Sequence, residues 1–223
     1  MSKPTLAILG GTGDLGGGLA LRWAKAGYPV IVGSRSAENA DKAAGEYKAK
    51  VPGADVRGMT NAKAAAAADI VVLTVPWSNH QPMLEAMKDG VQGKIMVDVT
   101  VPLQPPKVRT VHLPEGGSAA QAAQAFLGEE VRVVSAFQNV AADHLADLDH
   151  DIDCDVLVTG NDPKARAEVV ALAEAAGMKA WHAGQLANAV VAEALTSVLI
   201  FMNNRYGIPG AGLRITGTPT KDG

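Results

Sequence analysis

The stretch Leu9-Gly10-Gly11-Thr12-Gly13-Asp14-Leu15-Gly16 decides how this chain is read. Gly11, Gly13 and Gly16 give a G-x-G-x-x-G spacing, which is weak alone because 24 glycines produce such matches by chance. Its surroundings supply the specificity. The apolar run Thr5 to Leu9 precedes it, and Leu15, Leu19 and Trp23 follow at helical spacing, so the segment reads strand, tight turn, helix. Gly27 closes that helix, and Val30-Ile31-Val32 resumes as a buried strand ending at Gly33-Ser34-Arg35, about 20 residues past the glycines. A βαβ unit opened by this turn is a dinucleotide-binding fingerprint. Gly11 would make the tight turn, Gly13 would let the backbone of Thr12 to Leu15 approach a pyrophosphate, and Gly16 would allow close packing of helix on strand. The helix N-terminus would meet the phosphates with free N–H groups and partial positive charge. Asp14 would repel them unless it turns away, and it is expected to cap the helix.

The end of the second strand selects the dinucleotide. An NAD site places an acid there for the ribose hydroxyls, whereas this chain has Ser34 and Arg35. A hydroxyl and a guanidinium suit a 2′-phosphate, so NADP(H) is the expected cofactor. Lys42 and Arg57 are candidates for added positive charge.

Strands and helices continue to alternate. Helix candidates are Ala37 to Lys50, an Ala-rich helix capped by Asn61, Pro82 to Lys88, Ala119 to Leu127, Ala141 to Leu148, Pro163 to Ala176 capped by Asn161 or Asp162, and Gln185 to Asn203. Strand candidates between them are Val56 to Met59, Ile70 to Val75, Ile95 to Val99, Val131 to Phe137, Val156 to Thr159 and Met178 to Trp181. This order predicts an α/β fold, a doubly wound Rossmann-type parallel sheet with a small C-terminal α/β appendage. The expected division is an NADP-binding domain over 1–150 and a C-terminal unit over 151–223 that contributes to the acceptor site and a dimer contact. Val101 to Gly117, with four prolines, reads as a long irregular loop. Ligands in such sheets sit outside the carboxyl ends of the strands, which places Thr74-Val75-Pro76-Trp77 and Asp98-Val99-Thr100 toward the nicotinamide, with Val75 and Pro76 as an apolar wall for the ring and Trp77 and His80 as candidates to shape the pocket.

Composition removes other classes. With 20 basic and 23 acidic side chains the net charge is −3, so nucleic acid is not an expected partner. The apolar stretch Ala189 to Met202, interrupted by Glu193, reads as too short for a bilayer. A single cysteine, Cys154, and no leader-like start point to a reducing cytoplasm. The run from Asp143 to Asp155 holds six aspartates and two histidines but no metal-ligand spacing, and reads as a solvated edge rather than a metal site. No G-x-S-x-G occurs, and the acidic neighbours of Cys154 should raise its pKa, so no nucleophile is expected.

Several segments together, Leu9 to Gly16, Val32-Gly33-Ser34-Arg35, Leu73-Thr74-Val75-Pro76-Trp77 and Val133-Val134-Ser135-Ala136-Phe137, resemble the NADP-dependent oxidoreductases of the deazaflavin coenzyme F420. The resemblance runs from about Thr5 to Leu213. It implies reversible hydride transfer between C4 of the nicotinamide and C5 of the deazaflavin, the two cofactors supplying the chemistry and the protein supplying orientation and water exclusion. It also implies that Thr12 to Leu15, Ser34, Arg35, Val75 and Ala142 hold NADP(H), that Gln138, Asn139, Val140 and Ala141 touch the deazaflavin, and that the chain forms a homodimer, with the apolar stripe of the last helix as the contact. The family pattern has His and Pro at Gln138 and Ala141, and a basic residue at Asn39. Those departures leave open an NADPH-dependent reductase of another acceptor, such as a flavin, a pterin, a ferric chelate or a small imine or keto acid, and a non-catalytic NADP(H) sensor.

Overall fold

The computed structural model describes residues 3–220. In chain order its elements are β1 (Leu6–Leu9), α1 (Asp14–Lys25), β2 (Val30–Ser34), α2 (Ala37–Lys50), β3 (Val56–Thr60), α3 (Asn61–Ala67), β4 (Ile70–Leu73), α4 (His80–Met87) and β5 (Ile95–Asp98). They continue with α5 (Ala119–Leu127), β6 (Arg132–Ser135), α6 (Ala142–Ala146), β7 (Asp155–Gly160), α7 (Pro163–Ala175), β8 (Lys179–His182) and α8 (Ala189–Tyr206). One sheet runs β3-β2-β1-β4-β5-β6-β7-β8, so the strand order reverses direction between β1 and β4. Such a switch point opens a crevice at the carboxyl ends of the strands.

β1 to β6 pair in parallel, as expected of apolar runs covered on both faces. Leu6 and Ile8 join Leu19, Trp23, Val72 and Phe137 on one side of the sheet, while Ala7 and Leu9 join Ile31, Leu73, Leu84 and Met96 on the other. The uniformly parallel expectation ends at β6. β7 pairs antiparallel with it, Val134 opposite Gly160, and β8 then runs parallel to β7. No crossover helix separates β6 from β7, only the short α6 and the aspartate-rich segment, so the chain reverses direction.

That segment has a second use. Arg22, buried in α1, donates to the carbonyl oxygens of His144, Leu145, Asp147, His150 and Ala176 at 2.6–3.2 Å. Next to it the indole of Trp23 donates to the Leu172 carbonyl at 2.7 Å and meets Phe137 edge-on. The first helix is thereby tied to the C-terminal part of the fold. Asp151 and Asp153 are exposed, with Ile152 and Cys154 turned inward between them. Asp155 is buried, accepting from the Trp181 indole and the Ile215 N–H.

Of the expected caps, one holds and one does not. Asp162 caps α7 through the Ala165 N–H at 2.7 Å, while Asn161 accepts from Leu186 N–H. Asn61 is the first residue of its helix, not the cap, and its carboxamide oxygen takes the Gly10 N–H instead. The last helix extends further than the apolar stretch suggested: Leu186–Tyr206 is 21 residues with mean hydropathy 1.6, long and apolar enough to cross a bilayer by length and composition. Ala189, Ala192 and Leu199 of its stripe are buried against this chain, whereas Val191, Val198, Phe201 and Tyr206 face outward. Glu193 is buried too and accepts from the Ala119 and Ala120 N–H groups at the start of α5.

Candidate functional site

The glycine turn is held from four sides. Gly11 N–H is shared between the Ile8 and Gly33 carbonyls, each at 3.0 Å, and Asn61 holds Gly10 from α3. Tyr47 of α2 donates to the Gly11 carbonyl at 2.8 Å, and the Thr74 hydroxyl donates to Leu9 at the same distance. The left-handed backbone falls on Gly10, φ +80°, rather than on Gly11, where a Cβ would instead meet the Ile8 carbonyl at 2.8 Å. At Gly16 a Cβ would strike the Thr74 hydroxyl and lie 3.0 Å from the Gly10 carbonyl, which is the close helix-on-strand approach the spacing predicts.

Asp14 does not cap. It is the first residue of α1, exposed, behind Gly13 as the N-cap, and no side chain caps the helix. A capping side chain belongs to the residue just ahead of the helix, and here that residue is Gly13, which has none. The amide end of α1 is therefore open to an anion.

Two adjoining cavities share Gly13, Thr74, Val75 and Pro76. The first, about 420 Å³, brings Thr12 together with Ser34, Arg35, Asn39 and Asn61. Ser34 is buried at the end of β2; Arg35 is exposed and has no hydrogen-bond or ion-pair partner among the described residues. Lys42 and Arg57 do not border this cavity, and Arg57 lies 3.9 Å from Asp55. The second cavity, about 770 Å³, is mainly apolar: Leu15, Val75, Trp77, Val99 and Ala142 line it, and Val101, Leu103, Pro105 and Val108 of the long loop wall its outer side. Another cavity of about 640 Å³ lies by Arg132, Asn161 and Asp162, beyond the glycine turn and its strand ends.

His80 belongs to neither of the joined cavities. It is buried with its Nε2 2.7 Å from Asp98 Oδ2, and the other Asp98 oxygen accepts from the Thr100 N–H at 2.9 Å. The imidazole buttresses the end of β5 instead of facing the crevice. Trp77 is half-buried at the crevice, its ring 5.1 Å from that of His80. Gln138, Asn139 and Val140 are buried and line a separate cavity of about 110 Å³ against α8, Gly210 and Ala211. Gln138 donates to the Asp98 carbonyl and the Ser135 hydroxyl, and Asn139 to Cys154 Sγ and the Asp155 carbonyl. None of the expected acceptor-side residues Gln138 to Ala141 borders the large cavity, whereas Ala142, expected on the NADP(H) side, does.

Burial, more than its acidic neighbours, raises the Cys154 pKa; Asp155 and Asp153 add smaller increments. Burial also pushes Glu193 up to about 8, against the opposing pull of the two N–H groups it accepts from. No cluster of three or more His, Cys, Asp or Glu able to hold a metal occurs among the described residues. Val99 and Thr100 line the large cavity, as their place at the end of β5 predicts, whereas Tyr47 and Asn61 are not legible in the sequence as site residues, because each acquires its place only through a packing neighbour distant in the chain.

Comparison with known proteins bears on this geometry. The family described as NADP oxidoreductase, coenzyme F420-dependent, matches residues 5–102. An F420-dependent NADP reductase of Methanothermobacter thermautotrophicus is 41% identical over 225 residues, covering 97% of each chain. The corresponding reductase of Methanocaldococcus jannaschii is 42% identical over 95% of this chain and 97% of its own. A crystal structure provisionally assigned as an F420-dependent NADP reductase, from Arthrobacter sp. FB24, superposes with a TM-score of 0.80 at 28% identity, covering 96% of this chain and 100% of that one. With two fifths of its residues shared across nearly the full length of these relatives, the chain belongs to the family of F420-dependent NADP reductases.

Proposed function

We propose that this protein catalyses reversible hydride transfer between NADP(H) and the deazaflavin coenzyme F420. The observation that carries the reading is the pair of joined cavities at the switch point, one bordered by Ser34 and by Arg35, which has no partner among the described residues, and the other apolar and large enough for stacked rings. The bound cofactors supply the hydride donor and acceptor carbons. What the chain contributes is placement.

The first-turn N–H groups of α1, with Gly11, Thr12, Gly13, Asp14, Leu15 and Gly16 around them, hold the pyrophosphate. Ser34 and Arg35 hold the 2′-phosphate through charge-assisted hydrogen bonds. Val75 and Pro76 press on one face of the nicotinamide, and Leu15, Trp77 and Ala142 line the acceptor side, where the loop 101–108 excludes water. Gln138, Asn139 and Val140 act from behind the crevice, joining the ends of β5 and β6 to α8. No protein nucleophile or metal enters a step. A reducing cytoplasm suits a chain whose sole cysteine is a buried thiol.

The unit 151–223 supports the acceptor side, and the outward face of α8 with Val191, Val198, Phe201 and Tyr206 is the proposed homodimer contact. The test follows nicotinamide absorbance with NADPH against F420, a flavin, a pterin, a ferric chelate and a cyclic imine. Turnover with F420 far above the others is expected; turnover only with another acceptor would replace this reading, and tight NADPH binding without any turnover would make the protein a sensor.

A further inference from the structure

Thr100 lies two residues beyond the end of β5, lines the large cavity, and is 2% exposed. Its hydroxyl has no hydrogen-bond partner among the described residues. Burying a hydroxyl without one is unfavourable, and such a group in a crevice calls for an explanation in a ligand. Thr74, which borders the same crevice, has already committed its hydroxyl to the Leu9 carbonyl. Thr100 is also held in place: its N–H donates to Asp98, whose other oxygen is bound by the buried His80.

Leu73 and Asp98 pair across β4 and β5, and Val75 and Thr100 each follow that pair by two residues. Both line the large cavity. A nicotinamide ring resting on Val75 and Pro76 would lie in the same cavity that Thr100 lines from the end of the neighbouring strand β5. A carboxamide offers one acceptor and two donors, and a threonine hydroxyl can complement either. We infer that the Thr100 hydroxyl hydrogen-bonds the nicotinamide carboxamide and sets the rotation of the ring, and hence the face its C4 turns to the acceptor. His80 and Asp98 are positioning residues for Thr100. This inference rests on the NADP(H) reading above and adds a contact residue to it.

The experiment compares NADP+ with 2′-phospho-ADP-ribose, which lacks the nicotinamide, by titration calorimetry on the wild-type chain, Thr100→Val and Thr100→Ser. The valine variant should bind NADP+ about five- to tenfold more weakly, as for one hydrogen bond, with 2′-phospho-ADP-ribose unchanged and kcat reduced. Serine should restore NADP+ binding to within about twofold. Thr100→Ala, which sets no new methyl against Asp98, reads the same ratio should the valine chain not fold. Equal weakening of both ligands, no weakening of either, or a change confined to the KM of the acceptor would overturn the assignment while leaving the NADP(H) reading intact. A wild-type chain that binds neither ligand would overturn both.

Discussion

Two arginines thirteen residues apart in the first βαβ unit have opposite surroundings. Arg22 is buried, with its guanidinium donating to five backbone carbonyls drawn from residues 144 to 176. Arg35 stands exposed at the strand end with no partner among the described residues. A buried guanidinium bound by five backbone carbonyls serves the fold, so Arg22 is structural; burial lowers its pKa while Asp147 and Asp151 oppose the shift. Arg35, without a partner among the described residues and beside a buried serine at the edge of the first cavity, is the cation proposed to take the 2′-phosphate. One region of the molecule fixes the fold's closure, and the other is kept open for chemistry.

The contrast can be broken by exchanging stability for affinity. Arg22→Met should destabilise the fold by about 3 kcal/mol, because several carbonyls lose their donor at once, and chemical denaturation measures it. Its NADP(H) dissociation constant, taken on the folded chain, should stay near the wild-type value. Arg35→Ala should lose about 2–3 kcal/mol of NADP(H) affinity with little change for NAD(H), and leave the denaturation midpoint in place. An equal loss for both nucleotides would sink the 2′-phosphate assignment, and a large loss of stability would erase the distinction between the two arginines.

Two smaller effects sharpen it. Glu193 binds its proton more tightly in the folded chain, near 8, than an unfolded glutamate near 4.5 does. Between those values the native state carries the extra proton, so this group's stabilisation is complete below about pH 4.5 and fades as pH rises toward 8. The slope is at most about 1.4 kcal/mol per pH unit, and Glu193→Gln should flatten it in denaturation curves taken across that range. Tyr47→Phe should cost about 1 kcal/mol by leaving the Gly11 carbonyl without its donor. Calorimetry should find its NADP(H) affinity changed less than about threefold, since the turn keeps its other three supports.

Local pattern carried much of the architecture. Ala37–Lys50 and Ala119–Leu127 form helices over the spans that periodicity indicates, and the glycine spacing places a turn and a helix start where both are found. The antiparallel β7 was not legible, since a run such as Val156 to Thr159 looks the same in either direction. His80 reads as a pocket residue beside the nicotinamide because nothing local reveals Asp98 behind it, eighteen residues on. Gln138 and Asn139 are polar residues next to an apolar strand, a pattern that fits a ligand contact as well as the internal bonds to Asp98, Ser135, Cys154 and Asp155 that they make.

The sequence by itself determined the glycine turn, the alternating layers and the presence of Ser34 and Arg35, rather than an acid, at the end of β2, because steric freedom at glycine, hydrophobic periodicity and side-chain charge are properties of neighbouring residues. Tertiary structure alone decided which polar groups are engaged and which stay free. Arg22 finds its carbonyls more than 120 residues away, and Thr100 in the crevice is left without a partner among the described residues. Hydrogen-bond satisfaction is a property of the folded enclosure, set by every element that packs around a group, and no window of sequence contains it.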